Sequence, residues 1–137
     1  MDYVANLSAV LPPGSRALMI EDSRTTRRIF RSLLESFGIE VAEANDGKEA
    51  LEYLEKEMAA TDLIFSDIRM PTMDGFEFCY RLQQAQWYDG TPLVMVSTQS
   101  DADSVIRVLK LGADDYIPKP FDKDVLAQVI GRVMQHD

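Results

Sequence analysis

The chain has one cysteine, Cys79, in 137 residues. A lone thiol excludes an internal disulfide, so an apolar core must hold the fold. That usage fits a reducing compartment, and a cytoplasmic location is expected. Basic side chains are also scarce: 14 Lys and Arg stand against 23 Asp and Glu, a net charge of −9. Affinity for DNA depends on cations that neutralise phosphates, so direct nucleic-acid binding is not expected. No apolar run approaches the roughly 20 residues needed to cross a bilayer, so no membrane segment is expected. The N-terminus lacks the basic stretch and apolar core of a secretory signal. The one histidine, His136, lies in the tail and is expected to be neither ligand nor base. What remains is 46% hydrophobic and 27% charged, the composition of one globular domain.

Residues 1–15 read as an N-terminal extension, broken by Leu11-Pro12-Pro13-Gly14, and residues 16–137 as one domain. Within it two patterns alternate. Ala17-Leu18-Met19-Ile20, Leu63-Ile64-Phe65 and Leu93-Val94-Met95-Val96 are short continuous apolar runs, as expected of strands covered on both faces. Val41 to Ala44, with Glu40 and Glu43, suggests an edge strand protected by charge, and Asp115-Tyr116-Ile117 a short last one.

Helical stripes lie between them. Ile29, Phe30, Leu33, Leu34 and Phe37 form the first, with Gly38 at its end. Ala50, Leu51 and Leu54 follow Asp46 as a capping residue; Phe78, Cys79 and Leu82 form the third stripe. Val105, Ile106 and Leu109 form the fourth, and Val125, Leu126, Val129, Ile130 and Val133 the fifth, after Asp122. Five strand–helix alternations imply an α/β fold: a doubly wound, flavodoxin-like five-stranded parallel sheet of order 2-1-3-4-5, with helices on both faces.

Ligands of such sheets sit beyond the carboxyl ends of the strands. Glu21 and Asp22 follow the first strand, Asp67 the third, Ser97 and Thr98 the fourth, and Lys119-Pro120 the fifth. Two carboxylates about 4 Å apart repel by roughly 4 kcal/mol at an effective dielectric of about 20, so a proton or a cation must settle the cluster. A hard, all-oxygen site suits Mg²⁺. Lys119 is suited to a phosphoryl oxygen or to Asp67, and Ser97 can donate one hydrogen bond. These are the parts for phosphoryl transfer onto Asp67.

Glu21-Asp22, the loop Asp67-Ile68-Arg69-Met70-Pro71-Thr72-Met73-Asp74-Gly75, Ser97, Gly112-Ala113-Asp114-Asp115-Tyr116 and Lys119-Pro120-Phe121 stand in order at the strand ends. From Arg16 to Gln135 the chain resembles the receiver domain of response regulators, chemotaxis regulators among them, in two-component signalling. The resemblance implies that a histidine kinase or histidine phosphotransfer domain phosphorylates Asp67. It implies that Glu21, Asp22, Asp67 and the backbone carbonyl of Arg69 bind Mg²⁺. Lys119 would contact the phosphate, next to a cis peptide at Lys119-Pro120. Ser97 and Tyr116 would be the switch residues, and Arg69 and Gln99 would tune the lifetime of the phosphoryl group. The output surface would comprise the fourth helical stripe, the last strand and the fifth stripe. It would act on a downstream effector, a fused output domain or a second copy of the chain. Such a protein is a signalling phosphoacceptor, not an enzyme in its own right.

Two other classes are open to these residues. A phosphate-independent interaction or dimerisation module would keep the fold alone. A phosphatase of the haloacid dehalogenase type wants a second Asp two residues after its nucleophile, where this chain has Arg69. Outside the rim, Met19, Met95 and Met134 are expected in the core and Trp87 and Tyr88 as a loop anchor. Arg24, Arg27, Arg28 and Arg31 form a basic stripe where a helix begins, against the helix dipole. The stripe is either a solvated face or a docking surface for an acidic partner.

Overall fold

Each continuous apolar run forms a strand of one parallel sheet in the computed structural model, which describes residues 2–98 and 102–135. The strands are β1 (Arg16–Ile20), β2 (Glu40–Ala44), β3 (Leu63–Asp67), β4 (Leu93–Ser97) and β5 (Asp115–Pro118). Their order is β2-β1-β3-β4-β5, all pairs parallel, as the alternating pattern implies. The helices are α1 (Tyr3–Asn6), α2 (Arg24–Ser36), α3 (Gly47–Glu57), α4 (Gly75–Gln84), α5 (Ala102–Lys110) and α6 (Lys123–Met134). Among the described residues no helix is long and apolar enough to cross a membrane. Gln99 and His136 lie outside the described residues.

Successive strand residues point to opposite faces, so the sheet divides the core in two. Ala17, Met19, Phe65 and Val96 pack with α2 and α6 on one face. Leu18, Ile20, Ile64 and Met95 pack with α3, α4 and α5 on the other. Side-chain caps start four helices, at Asp46 and Asp122 as expected and also at Ser23 and Asp74; each accepts a backbone N–H three residues on. Cys79 is buried on α4, and burial pushes its thiol up to about 11. Met19 and Met95 are fully buried, Met134 packs at the core edge, and the Tyr88 hydroxyl donates to the Thr91 carbonyl at 2.6 Å.

Three expectations are corrected. Ile29, assigned to the apolar stripe of α2, is 59% exposed; Phe30 and Leu34 are its buried residues. In α5 Val108 is the buried residue, while Ile106 and Leu109 point to solvent. With apolar side chains at 105, 106, 108 and 109, nine residues do not define the helix phase by spacing.

The third concerns the N-terminal extension, which over residues 2–15 is structured and packed on the core. Asp2 caps α1, a 3-10 turn follows over Leu7–Ala9, and Leu7 is buried. Tyr3, Val4, Val10 and Leu11 pack around it against the same core as α2 and α6. Leu7→Ala is expected to destabilise the protein by about 2 to 3 kcal/mol, because it empties a closed site. Urea unfolding checks this; an unchanged midpoint would mean that the segment is not part of the core.

Candidate functional site

The sheet register brings the predicted residues to one rim. Asp67 ends β3 opposite Val96, and Ser97 ends β4 opposite Pro118, so Lys119 leaves β5 next to both. The Lys119 amide fixes this corner by donating to the Ser97 carbonyl at 2.7 Å. The Lys119–Pro120 peptide is cis. Glu21 follows β1, whose Ile20 is paired with Ser66 of β3.

Carboxylate oxygens of Glu21, Asp22 and Asp67 lie within 4.8 Å of one another. Glu21 and Asp67 are buried and Asp22 is exposed. The Lys119 ammonium sits between the two buried ones, 2.5 Å from Glu21 Oε1 and 3.0 Å from Asp67 Oδ2. Burial raises Glu21 above the ordinary carboxylate range, against the lowering pull of Lys119 and the Ser23 amide. Burial would lower Lys119, but Glu21 and Asp67 outweigh it and hold the ammonium protonated. The cluster is thus settled by a cation from the chain itself, and two carboxylates share it. Backbone donors complete the shell: Ser23 N–H to Glu21 Oε2 at 3.0 Å and Arg69 N–H to Asp67 Oδ1 at 3.3 Å.

A cleft of about 480 Å³ opens beside these groups, lined by Asp22, Arg69, Asp74, Phe76 and Ser104 among others. Ser97 is buried at the rim. Tyr116 is half-buried against the α3–α5 side of the core. The loop from Asp67 to α4 is tightly folded. Gly75 N–H donates to the Ile68 carbonyl at 2.7 Å, and Thr72 adopts a positive φ of 69°. That conformation is unfavourable for a β-branched residue and is held by the loop around it.

Two features lie beyond the sequence reading. Ser66, fully buried, donates its hydroxyl to the Asp67 carbonyl at 2.9 Å; a serine inside an apolar strand was the available signal. The basic stripe also divides. Arg27 and Arg31 pair with Glu43 of β2, and Arg31 also with Glu35. Arg24 and Arg28 remain exposed beside Ile29. Cross-element ion pairing therefore accounts for half of the charge that opposes the α2 dipole.

The response regulator receiver domain model matches residues 17–131 of the chain. The chain belongs to that family. This receiver domain of two-component signalling is 36% identical over 120 residues to the chemotaxis protein CheY homolog of Campylobacter jejuni. That match covers 87% of the chain and 92% of the relative. It is also 36% identical over 120 residues to the probable transcriptional regulator ycf27 of Porphyridium aerugineum. There it covers 88% of the chain but 48% of the relative, and so spans about half that protein's length. The chemotaxis response regulator CheY4 of Vibrio cholerae superposes with a TM-score of 0.79 at 33% identity, covering 88% of this receiver and 98% of that chain. The flavodoxin-like order of the sheet is that of receiver structures.

Proposed function

We propose that Asp67 is a phosphoacceptor, loaded by a histidine kinase or histidine phosphotransfer domain in a Mg²⁺-dependent reaction. The observation that carries this reading is the approach of Glu21, Asp22 and Asp67 to within 4.8 Å of one another, with the Lys119 ammonium on Glu21 and Asp67. An Asp67 oxygen attacks the phosphorus, the phosphorus–nitrogen bond of the donor phosphohistidine breaks, and the imidazole leaves with the bonding pair. Lys119 is positioned to neutralise a phosphoryl oxygen, and Ser97 to donate a hydrogen bond to one. The carboxylates of Glu21, Asp22 and Asp67, with the Arg69 carbonyl, would hold Mg²⁺, for which a hard oxygen donor set is suited. When bound, the ion neutralises charge on the transferring group.

The chain then turns over no external substrate beyond its own phosphorylation and dephosphorylation. Phosphorylation adds roughly −1.5 to −2 charges at Asp67. New contacts to Ser97 and Lys119, with Tyr116, would favour one of two pre-existing states of the α5–β5–α6 surface. That surface exposes Ile106 and Leu109, and would engage an effector, a fused output domain or a second copy in the cytoplasm.

The test is intact-mass spectrometry of the full chain after incubation with acetyl phosphate and Mg²⁺. One hydroxylamine-labile phosphoryl adduct is expected, and none when EDTA is present from the start of the incubation. No adduct would end the phosphoacceptor reading, and an adduct indifferent to EDTA would end the metal requirement.

Arg24, Arg28 and Ile29 form the exposed face of α2 beside the acidic rim. This face suits an acidic or phosphorylated donor domain. Arg28→Glu is expected to slow transfer from a phosphorylated kinase about tenfold, the effect of a like-charge contact in place of a complementary one. Loading from acetyl phosphate should be unchanged. Equal losses in both assays would place Arg28 in the folding of the site rather than in docking.

A further inference from the structure

The groove between α3 and α4 shares no residue with the acidic rim. It has a volume of about 880 Å³ and runs between Leu51, Glu52 and Glu55 on one side and Tyr80 and Trp87 on the other. Tyr80 is 54% exposed, an unusual position for a large apolar ring. Trp87 is half-buried, its inner side packed on the α3–α5 core and another part lining the groove. Aromatic side chains of this kind are enriched where proteins bind one another.

The charges around the rings are mostly acidic. Glu52, Glu55 and Glu77 line the groove with a single cation, Arg81, which is paired with Glu77 at 2.8 Å. Lys48 and Lys56 flank Glu52 and Glu55 along α3 but lie in no ion pair with them among the described residues. Among the described residues Glu52 and Glu55 thus have no ion-pair partner, and they stand beside two aromatic rings. A guanidinium can fork onto a carboxylate and stack on an aromatic face at once, which an ammonium does less well. The net charge of −9 favours a cationic partner over anionic membranes and nucleic acids.

We infer that the α3–α4 groove docks an arginine-containing amphipathic segment of a partner protein. The arginine seats against Tyr80 and Trp87 under Glu52 and Glu55, and the segment's apolar side covers Leu51. This surface is separate from both the exposed face of α2 and the α5–β5–α6 surface. A partner held here would leave the acidic rim open.

Trp87 is the only tryptophan, so it reports on its own surroundings. The full chain, with Mg²⁺ present, is titrated with a short peptide bearing Arg and Leu at helical spacing, and with its Glu-for-Arg counterpart. Binding is followed by Trp87 emission and by amide NMR shifts. The cationic peptide is expected to give a saturable emission change, with shifts confined to α3, α4 and residues 85–88. The Glu52→Gln, Glu55→Gln double variant should weaken binding about tenfold, as expected for two exposed charge pairs. Both positions are exposed, so the variant should melt like the wild type. Equal binding of the acidic peptide, equal affinity of the double variant, or shifts centred on Glu21, Asp22 and Asp67 would each overturn the inference.

Discussion

Asp67→Asn is expected to abolish phosphoryl incorporation, from acetyl phosphate and from a kinase alike. The amide keeps the size of the side chain but has no anionic oxygen to attack phosphorus. It also loses the ion pair with Lys119 at 3.0 Å. The fold should survive the exchange. Glu21 and Asp22 lose a like-charged neighbour, and Lys119 keeps Glu21 at 2.5 Å. The variant should therefore melt at or above the wild-type temperature, because it relieves repulsion within a partly desolvated cluster. Phosphopeptide mapping and calorimetry on the same preparation check both halves. A hydroxylamine-labile adduct retained in the variant would place the acceptor elsewhere. A large fall in melting temperature would show that the carboxylate serves mainly to hold the rim together.

Gly75→Ala is expected to be the most damaging substitution that leaves every charged group in place. A methyl at Gly75 would stand 2.5 Å from the Asp67 carbonyl oxygen, 2.6 Å from Ile68 Cα and 2.8 Å from the Met95 side chain. The first two are backbone atoms at the foot of the acceptor, so the strand end must move. Overpacking of this kind costs about 1–3 kcal/mol. Displacing a reacting group by about 1 Å can cost on the order of 100-fold in rate. Loading from acetyl phosphate should fall by about 10- to 100-fold in a protein that still folds. Gly131→Ala is the matched control. It lies inside α6 with nothing within 4 Å of the added methyl, and should stabilise the helix by up to about 1 kcal/mol. Equal rates for the two variants would show that the loop absorbs the methyl without moving Asp67.

Most of the site was legible because its residues stand where apolar runs stop. The charged residues that close these runs are Glu21, directly after β1, and Asp67, which ends β3 one residue past Ser66. The position of Lys119 followed from strand order alone, since β5 adjoins β4 and β4 adjoins β3. The sharing of Lys119 between Glu21 and Asp67 was not legible, because it depends on side-chain reach rather than order. Helix faces were harder to read. Ile29 and Phe30 are neighbours, and either could have led the stripe of α2; only packing against Phe65 and Phe121 selects Phe30. The N-terminal segment was obscured by Pro12, Pro13 and Gly14, which do end regular structure but stand after the short helix, not within it. Tyr3, Val4, Leu7 and Leu11 recur at helical spacing ahead of the break, and that was the signal for a docked turn.

The burial of Cys79 has a practical consequence for studying this molecule. Its thiol is the only one in the chain, is shielded beneath α5, and has its ionisation pushed up to about 11. Since the thiolate is the reactive form, alkylating reagents at neutral pH should find almost nothing to attack in the native state. Labelling then proceeds only through rare openings of the α4–α5 side. The residue becomes a built-in clock for local unfolding, readable by mass without any engineered tag.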